Sequence, residues 1–264
     1  RSAISKIPLR PGAASEGVFS SKSGTESPLR SQIFTRDELA QHARGLAWAH
    51  RVRFYGRSGN DLFRRFEENC IEIEKAYYAF ADAAGSKEPI THGAEWLLDN
   101  YPVVEQQVRD IRKHLPRSYY RTLPKLVSDD FRGYPRVYHL ALEVIAHNDA
   151  VVDSELLGVF IQSYQSHALL TIGELWAVPI MLRLALIENL RRLATANLLV
   201  QNERNAAEML VDKLVQDTTR TGTDILLDLA AHLKEQPMLL DTRAVHLLRR
   251  LRNKGLRAAL TLQW

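Results

Sequence analysis

The stretch Leu169–Ala194, LLTIGELWAVPIMLRLALIENLRRLA, is the longest strongly apolar run in the chain and sets what the rest can pack against. Thr171 and Glu174 have the spacing of a capping box, which places a helix start near Ile172. Trp176, Ile180, Leu184 and Ile187 then fall on one face, with Leu175, Val178, Leu182, Leu186 and Leu190 on the flanks. Apolar surface on most of the circumference predicts a helix buried nearly all round. A membrane span needs about 20 predominantly apolar residues. Glu174, Pro179, Arg183 and Glu188 interrupt the run, and ions near a bilayer centre are costly, so a core helix in a soluble segment is expected. Pro179 removes a backbone donor beyond the first turn and predicts a kink near Trp176.

Elsewhere the pattern is helical at three- and four-residue steps. Residues 1–33 hold eight Ser, three Gly and three Pro with few large apolar side chains, and are read as a disordered leader. Residues 34–264 are read as one helical domain. Helix starts are expected near 35 (Thr35 and Glu38, a second capping box), 61, 92, 135 (Pro135 as the first residue), 153 (Asp153 as cap), 171, 202, 223 and 241. RSYYRTL between Pro116 and Pro124 predicts a single turn. No period-two alternation is sustained, so strands are not expected. The class is all-α, an irregular bundle of about nine helices, because successive helix pairs share no fixed-period pattern.

Charge narrows the partners. Residues 1–60 hold ten Lys/Arg against four Asp/Glu, and the remainder holds 25 against 27. A nearly neutral folded part argues against nucleic acid, which selects a basic face. The single cysteine, Cys70, excludes an internal disulfide and lies in the apolar stripe of its helix, where a buried structural thiol is expected. Gly-rich phosphate loops, G-x-S-x-G and H-E-x-x-H are absent. The chain begins with Arg1 and reaches Trp264 inside a helix-like pattern, so a fragment of a longer protein, continuing past 264, is expected.

Three clusters could carry chemistry. His139, Glu143 and His147 step by four along one helix, a weak metal candidate, because a straight rod cannot surround an ion unless Asp149, Asp153 or another element helps. The solvated side of an amphipathic helix is the preferred reading. Glu95, Trp96 and Asp99, with Arg117, Tyr119 and Tyr120, supply the carboxylates, arginines and rings used in sugar binding. The same residues fit structural use, with Trp96 in a core stripe. Arg243, Arg249, Arg250, Arg252, Lys254 and Arg257 make a basic C-terminal surface suited to an acidic partner or a membrane surface.

Three blocks, HGAEWLLDNYPVVEQQVRDIRKHLPRSYYRTLPKL at 92–126, GYPRVYHLALEVIAHNDAVVD at 133–153 and the run at 169–194, resemble the N-terminal region of bacterial cyclic β-1,2-glucan synthases. The resemblance implies a large inner-membrane enzyme that transfers glucose from UDP-glucose to a growing β-1,2-glucan with the help of a divalent metal. It also implies a transmembrane glucosyltransferase core and a phosphorylase-like domain as partners on the same polypeptide. In that family this region is a helical segment on the cytoplasmic face, ahead of the transferase motifs, so no catalytic residue carries over and no cofactor is expected within the segment itself. Glu95, Trp96, Asp99, Arg117, Tyr119, Tyr120, Glu174 and Trp176 are the residues of the matching blocks that could touch glucan or nucleotide sugar. The contrasting expectation is an autonomous helical module that docks through its basic C-terminal helix.

Overall fold

The computed structural model describes residues 26–29, 31–54, 62–127 and 131–216. Among them are seven helices: α1 (Arg36–Ala49), α2 (Leu62–Gly85), α3 (His92–His114), α4 (Arg117–Thr122), α5 (Arg136–His147), α6 (Ser154–Gln165) and α7 (Ile172–Gln216). The all-α class holds, with seven helices among the described residues against about nine expected for the whole chain. The helices expected from 223 and 241, and the basic surface from Arg243 to Arg257, lie outside the described residues.

Local chemistry explains most boundaries. Thr35 and Glu38 close the capping box of α1, and Asp153 accepts from the amides of Glu155 and Leu156 at the start of α6. The single turn α4 sits where the two prolines bracket it, and Pro135 immediately precedes α5. Two departures from expectation concern continuity. The helices expected from 171 and 202 are one helix of 45 residues, α7, which also runs through Pro179. The TANLLVQN stretch between them has neither Gly nor Pro, and Asn197 takes a sideways bond from Thr91 instead of capping. A short antiparallel ribbon also forms where no strand is expected: β1 (Val52–Arg53) pairs with β2 (Lys125–Leu126), Val52 opposite Leu126. The chain beyond β2 turns back through Gly133, at φ 89°, whose amide donates to the Leu126 carbonyl at 2.8 Å. Two-residue strands are too short to leave a periodic trace.

The described residues fall into two compact units. In the second, comprising Ala79–Trp96 and α7 from Ala196 onward, the polar side of α7 reads the loop before α3. The Thr91 hydroxyl donates to Asn197 Oδ1 at 2.8 Å and accepts from the Ala94 amide. Gln201 and Arg204 donate to the Pro89 carbonyl, and Asn205 to Glu88. Gly93 allows this close approach, since a Cβ would lie 2.7 Å from the Asn197 side chain and would push it aside.

The first unit, up to Tyr78 and from Leu97 to Thr195, is organised around α5, all twelve residues of which are buried. This overturns the expectation that α5 shows a solvated face to water. α1 packs extensively on α6 and its C-cap His50 bonds to Tyr164 there, while α5 sends hydrogen bonds to α1 and to α7. In α7, Ile180, Leu184 and Ile187 are buried as expected, whereas Trp176 is 80% exposed on its first turns. Trp96 of α3, placed in a core stripe by its spacing, is 52% exposed, with Ala94 and Leu97 buried in its stead. Cys70 is half-buried beside buried Asn69, and burial and the neighbouring Glu67 carboxylate push its thiol up to about 12, an unreactive state.

The charged residues that interrupt the apolar run are the ones that fix it. Glu174 is fully buried, closes the capping box with Thr171, and accepts a two-pronged bond from Arg136 at 2.6 and 2.8 Å. The same Arg136 Nη2 also donates to the Leu169 carbonyl at 2.6 Å. Glu188, also fully buried, accepts from Arg65, Asn69, Arg191 and Arg192. Glu26, within the stretch read as leader, joins this cluster through Arg65 and Arg191, while Leu29 donates its amide to Asn189 and Arg192 donates to the Ser27 carbonyl. No helix among the described residues is long and apolar enough to cross a membrane.

Breaking a buried ion pair by removing one partner leaves an uncompensated charge and costs about 3–5 kcal/mol. Arg136→Met or Glu174→Gln alone is therefore expected to lower the urea midpoint of unfolding steeply. Arg36→Ala, which removes an ion pair to Glu155 with both side chains well exposed, leaves the midpoint nearly unchanged.

Candidate functional site

The polar stripe of α5 meets four other side chains and a backbone carbonyl in the interior of the first unit. Glu143 is the hub. His139 of α5 lies 3.1 Å from its Oε1, and its Oε2 receives His42 of α1 at 2.6 Å and faces His147 of α5 at 3.5 Å. His50, the C-cap of α1, bridges His139 at 3.0 Å and the Tyr164 hydroxyl of α6 at 2.9 Å. His147 Nδ1 reaches the Gln32 carbonyl at 2.7 Å. Phe34 stacks on His147 and Phe131 on His139, each with ring centres 3.8 Å apart, so both imidazoles are held in plane.

Burial pushes the Glu143 carboxyl up, but hydrogen bonds from His139, His147 and His42 outweigh it and hold the group well below the usual carboxylate range. With Glu143 ionised, the following proton arrangement satisfies the chain of contacts. His139 donates from Nε2 to the carboxylate and accepts at Nδ1 from His50 Nε2, and His50 Nδ1 accepts from the Tyr164 hydroxyl. His50 is held neutral, since burial and the adjoining His139 and Arg136 push it down to about 3. Burial lowers His147 as well, but its bonds to Glu143 and to the Gln32 carbonyl prevail and raise it above its ordinary value.

Sequence spacing identified His139, Glu143 and His147 as sharing a face, and the structure brings them together. It did not identify what covers them. His42 and His50 were missed, although both fall on the Leu39, Ala43, Ala47 stripe once Thr35 fixes the phase of α1. Tyr164 and Arg136 were missed as polar partners. Asp149 is exposed and Asp153 is engaged as the α6 cap, so neither completes this cluster.

The sugar-vocabulary residues do not form one comparable constellation. In the second unit, Glu95 pairs with exposed His92 at 3.0 Å, and Trp96 follows it on α3. In the first unit, Asp99 is exposed, and the Arg117 guanidinium lies 5.1 Å from the Phe63 ring at the edge of an apolar cavity lined also by Phe66, Ile111 and Leu115. Tyr120 is buried edge-on against Phe63 with Lys125 over its face. Tyr119 donates to the Gly173 carbonyl at 2.5 Å, beside Glu174, which is committed to Arg136. Trp176 stands out in solvent. A hard divalent ion of the kind that the synthase resemblance implies wants several oxygen ligands. The buried carboxylates of Glu174 and Glu188 face arginines, and that of Glu143 faces imidazoles, so these three do not fit it.

The titrations of the cluster have opposite signs on either side of about pH 6.5, the ordinary value for histidine. His147, raised in the fold, contributes stability that is complete below 6.5 and is lost as pH rises through its folded value. His50, depressed to about 3, makes the unfolded chain the better proton binder below 6.5, so stability falls as pH drops from 6.5 towards 3. Glu188, held at about 2 because the attraction of Arg65, Arg192 and Arg191 overcomes its burial, adds a loss that begins as pH falls below 4.5. Urea midpoints measured against pH should therefore peak near 6.5, and His50→Asn should flatten the limb between 6.5 and 4.5 while leaving the steep fall below it.

No family model matches the chain. It is 36% identical over 199 residues to the cyclic beta-(1,2)-glucan synthase NdvB of Rhizobium meliloti (strain 1021), a match that takes in 75% of this chain and 7% of that protein. The chain thus spans a small fraction of the length of the curated relative it matches. The helical body built around α5 and α7 is related to the N-terminal region of a cyclic β-(1,2)-glucan synthase.

Proposed function

We propose that this chain is a non-catalytic helical segment of a cyclic β-1,2-glucan synthase. The parent enzyme transfers glucose from UDP-glucose to a growing β-1,2-glucan, with the nucleotide sugar and a divalent metal held elsewhere on the polypeptide. The segment lies at the cytoplasmic face of the inner membrane and packs against the transmembrane glucosyltransferase core and the phosphorylase-like domain. The observation that carries this reading is the 36% identity extending over three quarters of the chain but only 7% of its relative. The internal pairing of the buried charges adds support, because Glu174, Glu188 and Glu143 each serve a neighbouring helix. Exposed Trp96 and Trp176 offer ring faces on which a passing glucan could stack.

The test uses the whole synthase carrying Glu95→Gln, Trp96→Ala or Trp176→Ala. Each variant should keep kcat for glucose transfer within about threefold, with any change confined to KM for glucan acceptors. Removing a general acid or base costs about 10²–10⁴-fold. A loss of that size in any of the three, with the fold intact, refutes the non-catalytic reading. So does release of UDP from UDP-glucose by the isolated chain.

A further inference from the structure

We propose that His42, Glu143 and His147 form a binding site for a single zinc-type divalent transition-metal ion. Each supplies one ligand atom, and the three atoms lie within 4.8 Å of one another. α5 provides an i, i+4 pair, Glu143 and His147, and α1 provides the third ligand from across the interface, which is what a rod alone cannot do. The ligand set differs from the one the sequence spacing suggested. His139 takes the other carboxylate oxygen at 3.1 Å and thereby turns Oε2 towards His42 and His147.

One of the three separations already matches an occupied site, and His42 supplies the adjustment that the others need. Two ligands on one tetrahedral zinc ion, each about 2.1 Å from it, are about 3.4 Å apart. His147 Nε2 and Glu143 Oε2 stand at 3.5 Å, a long hydrogen bond whose length matches the separation of two ligands on a shared ion. His42 must swing back from 2.6 Å by somewhat less than 1 Å, and as the outermost ligand, with 28% of its side chain exposed, it has room to do so.

The supporting contacts are those that metal-bound histidines use. His147 donates its other ring proton to the Gln32 carbonyl at 2.7 Å, which leaves Nε2 to face the site, and Phe34 stacks on the ring with planes 7° apart. Two imidazoles and a carboxylate favour zinc-type ions over Mg²⁺, which demands an octahedron of oxygens. Three protein ligands, with His42 partly exposed to solvent, leave a fourth position for water, the arrangement of sites that remain accessible.

The experiment titrates chelator-stripped chain with Zn²⁺ by calorimetry and with Co²⁺ by visible absorption, in parallel with Mg²⁺. The expected result is one strongly bound Zn²⁺, Co²⁺ bands of low-coordinate imidazole ligation, and no response to Mg²⁺. His42→Ala and the bulk-preserving His42→Gln should each weaken Zn²⁺ binding at least about tenfold and bleach the Co²⁺ bands. His92→Ala, at an exposed position, should bind like the parent chain. The proposal is overturned if the parent chain binds no Zn²⁺ tighter than about 100 μM. It is equally overturned if both His42 variants, folded by circular dichroism, bind as the parent does.

Discussion

An ionised side chain survives burial only if the charge and its remaining hydrogen-bonding positions are met by fixed partners, and α5 carries two such groups, Arg136 at its start and Glu143 at its middle. Their partners come from different elements. Arg136 is met by Glu174 of α7, and Glu143 by His42 of α1 as well as by histidines of its own helix. Apolar packing would let neighbouring helices slide by fractions of a turn with little change in buried area, but these directed bonds permit one register. The same carboxylate that caps α7 holds the first residue of α5, so the start of one helix and the position of another are set by a single side chain. Glu188 repeats the device one helix over, clamping α2 to α7 through Arg65 and Asn69, while Arg65 also holds Glu26 and the adjoining Asn189 takes the amide of buried Leu29.

The sequence exposed the devices that act over three or four residues. Both capping boxes, the Asp153 cap, the turn between Pro116 and Pro124 and the shared face of His139, Glu143 and His147 are local patterns, and all are present. What covers a face is not local. A helix with polar residues at every fourth position reads as amphipathic whether water or another polar stripe lies opposite, and His42 lies 101 residues from the carboxylate it meets. The tryptophans erred in the other direction. Trp96 and Trp176 fit apolar periodicity, yet each sits near the start of a long helix, where the core-facing positions are taken by Ala94 and Leu97 or by Ala177 and Ile180. The continuity of α7 was hidden because Asn197 and Asn202 resemble helix ends, while Asn197 spends its side chain on Thr91.

The blocks that carry the family resemblance coincide with the mechanical centre of the first unit. The block at 133–153 contains the whole of α5, and the block at 169–194 contains the part of α7 that holds Glu174 and Glu188. Arg136 and Glu174, partners in the buried pair, therefore belong to two separate blocks that the fold brings together.

Amide hydrogen exchange, followed by mass spectrometry across the intact chain, tests the burial of α5 most directly. If α5 is enclosed and its charges are satisfied, amides from Leu140 to His147 exchange only by the largest opening of the first unit, and more slowly than those on the outer side of α3. Exchange in α5 as fast as in α3 would contradict the account, because it would mean that the polar stripe of α5 faces water after all.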